Sequence, residues 1–178
     1  VCECCHPSVI VNGSSVHVMF RNSIGGNRDM YLTSSTDGGK SFSEARKLGA
    51  GNWQLDACPM DGGMVAVSPN GPLETVWRRD GNVYKAAGDG SPEVLLGKGQ
   101  QPWIAATPKG SVIVWTVGRE GDLLVQSPVS GQPQKLADAA RDPMITAASN
   151  GTRPVIACWE SKLSGGSVLL ATRIDLVK

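Results

Sequence analysis

Apolar residues in this chain occur in short runs that alternate with polar positions and end at turns rich in Gly, Pro, Asn and Asp. A period of two residues over four to eight positions is typical of a β-strand with one buried face. No stretch has the spacing of apolar positions that would predict a helix. The pattern therefore predicts an all-β protein.

The predicted strands recur in units that can be aligned with one another. Each unit begins with a short apolar strand that ends in a turn, at residues 7–11, 63–67, 102–106 and 143–147. A second strand ends on a large aromatic side chain, at residues 16–20, 73–77, 112–115 and 154–159. A third strand follows, at residues 30–34, 82–86, 123–127 and 168–173. The first three units add a fourth strand, at residues 46–48, 93–96 and 134–136.

Four-stranded antiparallel units that repeat about every 40–45 residues are typical of β-propeller blades. We predict that residues 1–178 form a single β-propeller or a portion of one. The predicted blades lie approximately at residues 7–49, 61–97, 101–137 and 142–178. The aromatic residues that end the second strands are expected to fill the space between neighbouring sheets. They are Phe20, Trp77, Trp115 and Trp159.

One turn of the first unit has a distinctive sequence, Ser-Thr-Asp-Gly-Gly-Lys-Ser-Phe at residues 35–42. The short polar side chains of Asp37 and Ser41 can accept hydrogen bonds from backbone N–H groups inside a turn. Gly39 and the glycine before it allow a positive φ without steric cost. Phe42 is expected to pack its ring beneath the turn. The sequence predicts a hairpin whose turn is stabilised by its own side chains.

The pattern Ser35-x-Asp37-x-Gly39-x-Ser41-Phe42 resembles the Asp-box, the bacterial neuraminidase repeat of sialidase-like β-propellers. In that family the Asp-box is a structural device on the face opposite to the site. The resemblance implies a propeller of six blades. Because this chain supplies about four, and the last lacks a clear fourth strand, the missing blades are expected from the same gene or from another subunit.

Composition narrows the choice of partner and compartment. The formal net charge of +1 does not indicate a nucleic-acid partner. No apolar segment reaches 18 residues, so no membrane span is expected. The sequence shows no signal peptide and begins with Val1, so we expect a chain that is processed or cut from a longer one. Five cysteines are many for a reducing compartment, which favours a periplasmic or secreted protein.

In a propeller, the loops that precede first strands and follow second strands share one face, called here the top face. Three acidic residues there are candidate catalytic residues by position: Asp61, Asp142 and Glu160. Arg21, Arg78 and Arg119 are candidate ligand-binding residues, because two guanidinium groups can hold a carboxylate by paired hydrogen bonds. The alternative is that these arginines are solvated or paired with neighbouring acidic residues.

The resemblance to sialidases implies an arginine triad that binds the substrate's carboxylate. It also implies a tyrosine nucleophile polarised by a glutamate, and an aspartate acid/base. Both tyrosines of the chain, Tyr31 and Tyr84, fall inside predicted third strands and are expected to pack. We therefore expect a sialidase-like propeller without sialidase activity.

Cysteines concentrate at the predicted start of the first two blades. Cys58 is expected near Cys4 or Cys5, because residues that enter the inner strands of adjacent blades lie side by side. A disulfide between them would brace the insertion that precedes the second blade. The alternative is a soft metal ion, Cu or Zn, bound by the set Cys2, Cys4, Cys5, His6, Cys58 and Met60. Residues 2–6 also contain Cys-x-x-Cys-His, which matches the attachment motif of c-type haem.

These features leave three functions open. The first is a sialidase-like propeller that binds a small anionic or carbohydrate ligand at its top face. The second is an active exo-glycosidase of the sialidase type, completed by blades outside this chain. The third is an interaction scaffold in which the cysteines have a metal or redox role.

Overall fold

The computed structural model describes residues 1–68, 71–148 and 154–176. Within these ranges the chain forms β-strands and no helix, and every strand pairing is antiparallel. The described ranges therefore hold no helix of the length and hydropathy that a membrane span requires. The prediction of an all-β protein is confirmed.

The first two sheets have four strands each, paired in sequence order. The first sheet contains β1 (Ser8–Asn12), β2 (Ser15–Arg21), β3 (Met30–Ser35) and β4 (Arg46–Lys47). The second sheet contains β5 (Met64–Val67), β6 (Leu73–Arg79), β7 (Asn82–Ala87) and β8 (Val94–Lys98). Both sheets are antiparallel meanders, as expected of propeller blades.

The third sheet has six strands and contains two blades. Its strands are β9 (Gln100–Thr107), β10 (Gly110–Thr116), β11 (Gly121–Gln126), β12 (Gln134–Thr146), β13 (Val155–Leu163) and β14 (Gly166–Ile174). The first half of β12 pairs with β11 and its second half pairs with β13. β12 is therefore the outer strand of the third blade and the inner strand of the fourth.

The sequence predicted two separate strands, at residues 134–136 and 143–147, where the structure has the single strand β12. Few residues connect the two blades, so the chain has no room for a loop and bends within the strand. The bend lies at Ala139 and Asp142, which have φ values of 48° and 47°. The pairing of β12 with β13 shifts register between Arg141 and Met144.

The inner strands of the four blades lie side by side around a common axis: β1, β5, β9 and the second half of β12. Together they line a channel of about 590 Å³. Three apolar clusters fill the spaces between successive blades. This radial arrangement is that of a β-propeller with a gap between its first and last described blades.

Three of the four predicted aromatic residues lie between sheets. Trp77 packs against the first sheet, Trp115 against the second and Trp159 against the third blade. Phe20 does not, and its ring stacks on Tyr31 with 6.1 Å between centroids. The reason is register: Met19 belongs to the cluster shared with the second sheet, so its neighbour Phe20 lies on the opposite face of β2.

The first and last sheets expose apolar side chains. Val9 and Val11 on β1 are 65% and 63% exposed, and Leu169 on β14 is 77% exposed. Val9 and Val11 alternate with Ile10, which packs towards the second sheet. They therefore lie on the outer face of the first sheet. We predicted that blades from outside this chain cover these faces, and this stays a prediction.

The turn at residues 35–42 is stabilised by the side chain of Asp37. Its carboxylate accepts hydrogen bonds from the Ser35 hydroxyl at 2.7 Å and the Ser41 hydroxyl at 2.6 Å. The backbone N–H groups of Lys40 and Ser41 donate to it at 2.9 and 3.0 Å. These donors hold the pKa of Asp37 well below its ordinary value.

Phe42 departs from expectation, since its side chain is 45% exposed. The segment that carries it lies outside any strand, between Ser35 at the end of β3 and Arg46 at the start of β4. No neighbouring sheet covers the ring there.

Replacing Asp37 with alanine is expected to lower the melting temperature, because two backbone N–H groups lose their acceptor. A carboxyl group whose pKa is lowered by folding stabilises the fold above its ordinary pKa, and the stabilisation disappears as the pH falls through the folded value. The difference in melting temperature between Asp37→Ala and wild type should therefore become smaller below about pH 4. Thermal melts of both proteins between neutral and acid pH would test this. The exposed Asp56 provides the control Asp56→Ala, and equal melting of Asp37→Ala and wild type would contradict the assigned role.

Candidate functional site

Four chain segments meet at the top face, one at the entrance of each blade's inner strand: the loops before β1 and β5, the start of β9 and the bend within β12. Each contributes a polar residue: His6, Asp61, Gln101 and Asp142. They surround a cavity of about 210 Å³, whose remaining lining residues are Met60, Gly62, Pro102, Trp103, Pro143 and Met144. The four blades thus build one shared cavity from the segments at the entrances of their inner strands.

The backbone around this cavity is in an uncommon conformation. Met60, Gln101 and Asp142 have φ values of 59°, 55° and 47°. Residues other than glycine rarely occupy this left-handed region, and such residues concentrate at ligand-binding and catalytic sites. Gln101 and Asp142 also precede prolines, which further restricts their backbone. The cavity therefore contains local strain that the surrounding sheets must support.

Gln101 connects three blades at the cavity. Its side-chain Nε2 donates to Asp142 Oδ1 at 2.5 Å, and its Oε1 accepts from the Asp142 backbone N–H at 3.1 Å. The Thr116 hydroxyl also donates to this Oε1, at 3.0 Å. The backbone N–H of Gln101 donates to Asp61 Oδ2 at 3.4 Å. Gln101 therefore fixes the positions of both candidate acids relative to each other.

An aromatic surface forms one side of the cavity. The rings of His6 and Trp103 are stacked, with 6.4 Å between centroids and 27° between planes. Gly62 lies against His6, and a Cβ atom at Gly62 would collide with the backbone carbonyl of His6. The close approach of the first two blades at this point therefore requires glycine.

Asp61 is the buried partner of two arginines. Its carboxylate lies 3.0 Å from Arg78 Nε and 3.6 Å from Arg21 Nη2. Both guanidinium carbons lie 5.1 Å from the centre of the Trp53 ring, within the range of a cation–π interaction. Burial raises the pKa of Asp61, and the charges of Arg78 and Arg21 oppose that rise. This cluster joins the first two blades beneath the cavity.

Arg21 and Arg78 do not have the ligand-binding geometry that the sequence suggested. Arg21 is 1% exposed and donates to the backbone carbonyls of Arg28 at 2.6 Å and Arg78 at 3.1 Å. Arg78 donates to Gln100 Oε1 at 2.7 Å and to the Pro59 carbonyl at 3.0 Å. The carboxylate that the two arginines hold is that of Asp61. Pairing with a neighbouring acid, the alternative interpretation, describes them better.

Two other candidates lie away from the cavity. Arg119 is exposed in the turn that follows β10. Glu160 accepts from Arg141 Nε at 2.9 Å, and the hydrogen bonds from Arg141 lower the pKa of Glu160. Glu160 is therefore held in its ionised form, which does not suit a general acid. Of the predicted acids, Asp61 and Asp142 are the two that line the cavity.

Four of the five cysteines, Cys2, Cys4, Cys5 and Cys58, lie beside the cavity on the same two loops as His6 and Met60. Cys4 and Cys58 are joined by a disulfide with 6.2 Å between Cα atoms. Cys2 and Cys5 are buried free thiols. Burial, followed by the hydrogen bond with Cys2, raises the pKa of Cys5 to about 11. The match of residues 2–6 to the attachment motif of c-type haem stays a sequence prediction.

Sequence analysis did not identify Gln101 as a site residue, and it missed Trp103 and His6 as an aromatic surface. One signal could have found them. His6, Gln101 and Asp142 each precede a proline at equivalent positions of three blades. A residue followed by proline at the entrance of three inner strands indicates that the backbone conformation there is restricted. Such a recurring restriction marks these positions as candidate site residues.

No protein-family model matches the chain, and no curated protein matches its sequence. Solved structures do share its fold. An exo-β-1,3-galactanase of Phanerochaete chrysosporium, solved with β-1,3-galactotriose, has a TM-score of 0.55 at 12% identity over 95% of this chain and 45% of its own. An α-L-arabinofuranosidase of Podospora anserina, solved with cellotriose, has a TM-score of 0.53 at 13% identity over 96% of this chain and 64% of its own.

A GH43_1 enzyme of Xanthomonas citri has a TM-score of 0.51 at 10% identity, over 94% of this chain and 67% of its own. At such identities the similarity establishes the fold alone, and the prediction of a β-propeller is confirmed. The chain spans from 45% to 67% of the length of these three structures.

The assignment to the sialidase-like Asp-box family is wrong. The structural neighbours are five-bladed propellers of the GH43 and GH62 glycosidases, whereas the Asp-box resemblance implied six blades. The physical reason is that the Asp-box is a local turn. Asp37 and its hydrogen-bond donors stabilise a single hairpin, and such a hairpin does not determine how many blades surround it or which chemistry they carry.

Proposed function

We propose that the top-face cavity binds one ring of a neutral sugar, and that the chain is part of a carbohydrate-active β-propeller. The observation that carries this proposal is the combination of an aromatic surface, His6 with Trp103, and the polar groups of Gln101 and Asp142 around one cavity. Sugars present apolar C–H faces that pack on aromatic rings. Their hydroxyl groups donate to carboxylates and amides.

The size of the cavity favours a small ligand. Its volume of about 210 Å³ lies below the range of about 300–1,000 Å³ typical of pockets for larger ligands. A single ring fits this space better than an extended oligosaccharide, whose other units would lie outside the cavity.

The charges around the cavity favour a neutral ligand. Asp61 and Asp142 contribute carboxyl groups to the lining, while Arg21 and Arg78 are engaged with Asp61 and backbone carbonyls. A carboxylated sugar would meet like charges without a free guanidinium among the described lining residues. The Asp142 carboxylate, whose described side-chain partner is the neutral amide of Gln101, therefore disfavours an anionic ligand.

Structural neighbours add support at the level of the fold. The galactanase and the arabinofuranosidase were solved with β-1,3-galactotriose and cellotriose, which are neutral oligosaccharides. One fold can have unrelated functions, so the similarity to these enzymes is an analogy. The main support for sugar binding is the set of residues that line the cavity.

Replacing Gln101 with alanine is expected to weaken sugar binding about tenfold, because both acids lose the group that positions them. Calorimetric titration with xylose, arabinose, galactose and their short oligomers would measure the dissociation constants. Gln126→Ala is the matched control, since Gln126 ends β11 away from the cavity and donates to the Gly131 carbonyl in the turn that follows. Equal affinity of Gln101→Ala and wild type, or tighter binding of sialic acid than of any neutral sugar, would overturn the proposal.

A second candidate function is hydrolysis of a neutral glycoside. Glycosidases of most families use two carboxyl groups, one of which acts as an acid with a raised pKa. Asp61 and Asp142 line the same cavity, and burial raises the pKa of Asp61. Release of nitrophenol from neutral aryl glycosides, abolished in Asp142→Asn, would establish this activity. Sugar binding without turnover would leave the cavity as a binding site.

A further inference from the structure

We propose that Cys2, Cys4, Cys5 and Cys58 form a redox-controlled site for one thiophilic metal cation, Zn²⁺, that is available only when the Cys4–Cys58 disulfide is reduced. The four sulfur atoms come from two loops. Three belong to the N-terminal segment before β1, and Cys58 belongs to the insertion before β5.

The sulfur positions match a tetrahedral site. Cys2 Sγ lies 3.4 Å from Cys4 Sγ and 3.3 Å from Cys5 Sγ, and Cys4 Sγ lies 3.9 Å from Cys5 Sγ. Four thiolates at about 2.3 Å from a zinc ion at the centre of a tetrahedron are about 3.8 Å apart. The sulfurs of Cys2, Cys4 and Cys5 therefore have the spacing of one face of such a tetrahedron. Cys58, which is bonded to Cys4 in the oxidised protein, would supply the fourth ligand after reduction.

Charge around the cluster is compatible with a thiolate site. Zn²⁺ with four thiolates has a net charge of about −2. Arg28 Nη1 lies 3.6 Å from Cys2 Sγ. Its guanidinium group thus lies where it offsets part of the excess negative charge, which reduces the cost of burying it. The backbone N–H of Cys2 donates to the Arg21 carbonyl at 2.9 Å, which fixes the N-terminal segment in place.

Zinc binding depends on the redox state because the disulfide determines how many thiols are available. With the Cys4–Cys58 disulfide formed, Cys2 and Cys5 are the free thiols of the cluster, which is too few for a structural zinc site. A dithiol reductant transfers two electrons and two protons to the disulfide and is itself oxidised to a disulfide. The four cysteine thiols then release four protons as they bind Zn²⁺. Cys58 is exposed, so the reductant can reach it.

Both states tie the same two loops together. Cys5 is adjacent to His6, and Cys58 precedes Met60 by two residues, so the loops that line the cavity are held by the disulfide or by the metal. The site does not depend on the proposed sugar binding, because its ligands are separate from the residues that would contact a sugar.

The test compares Co²⁺ binding by the oxidised and the reduced protein. Thiol counting after denaturation without reductant should give three free thiols, Cys2, Cys5 and Cys158, and five after treatment with dithiothreitol. The reduced protein, desalted without oxygen, should bind one Co²⁺ per chain with the near-ultraviolet charge-transfer absorption of cobalt–thiolate bonds. Zn²⁺ should displace the Co²⁺, and the oxidised protein should bind at least tenfold more weakly.

Cys58→Ser should reduce the affinity of the reduced protein for Co²⁺ at least tenfold. Cys158→Ser is the matched control, because Cys158 lies on β13 in the fourth blade, away from the cluster, and it should leave the affinity unchanged. If Cys58→Ser does not fold, the comparison of oxidised with reduced wild type still decides the question. Absent Co²⁺–thiolate absorption in the reduced protein, equal binding in both redox states, or equal losses in the two variants would overturn the proposal.

Discussion

Replacing Asp61 with asparagine is expected to lower the free energy of unfolding by about 3–5 kcal/mol, a typical cost of leaving a buried charge without its partner. The side chains of Arg21 and Arg78 are 0% and 14% exposed, and both are paired with the one carboxylate of Asp61. Asparagine keeps the shape of the side chain but removes the charge. Urea denaturation followed by tryptophan fluorescence would measure the change.

The matched control is Asp142→Asn. Asp142 lines the same cavity but is exposed, and its closest described partner is the neutral amide of Gln101. We expect this variant to lose less than about 1 kcal/mol, as for most exposed substitutions. Equal stability of Asp61→Asn and Asp142→Asn would show that the arginine cluster does not join the first two blades.

Replacing Trp115 with alanine is expected to lower the free energy of unfolding by about 3–5 kcal/mol, because the change leaves a large cavity between the second and third sheets. Trp115 is 0% exposed, and its indole N–H donates to the Lys98 carbonyl at 3.1 Å. The loss of stability therefore has two causes: apolar contacts are removed, and the Lys98 carbonyl loses its hydrogen-bond donor. The midpoint of urea denaturation would show the change.

Phe42→Ala provides the comparison, since it also removes an aromatic ring. Because Phe42 is half-exposed beside the turn at residues 35–42, its loss should cost less than about 1 kcal/mol. A Trp115→Ala variant as stable as Phe42→Ala would contradict the packing of Trp115 against the second sheet.

The blades could be predicted from the sequence because the signals that define them are local. Apolar residues alternate with a period of two, and turns interrupt them at regular intervals. The positions of Trp77 and Trp115 follow from that register. The single strand β12 could not be predicted, because it depends on how closely the third and fourth blades approach each other.

The site was only partly predictable. The convergence of the loops that carry Asp61 and Asp142 follows from blade geometry and needs no side-chain detail. The burial of Arg21 could not be predicted in this way. Its partner Asp61 lies 40 residues away in sequence, and an arginine at a strand end is usually exposed. The hydrogen bonds of Asp37 stabilise a local turn, but local turn chemistry does not identify a family.

The most direct test of a neutral-sugar site at the top face is a titration of the ¹⁵N-labelled protein with neutral and acidic sugars, followed by NMR. We expect a neutral sugar to shift the indole resonance of Trp103 and the backbone resonances of Gln101 and Asp142, with no shift at Asp37 on the turn at residues 35–42. Sialic acid should produce no comparable shifts. Shifts confined to the region around Asp37, a preference for the acidic sugar, or no saturable shift with any neutral sugar would contradict the proposed site.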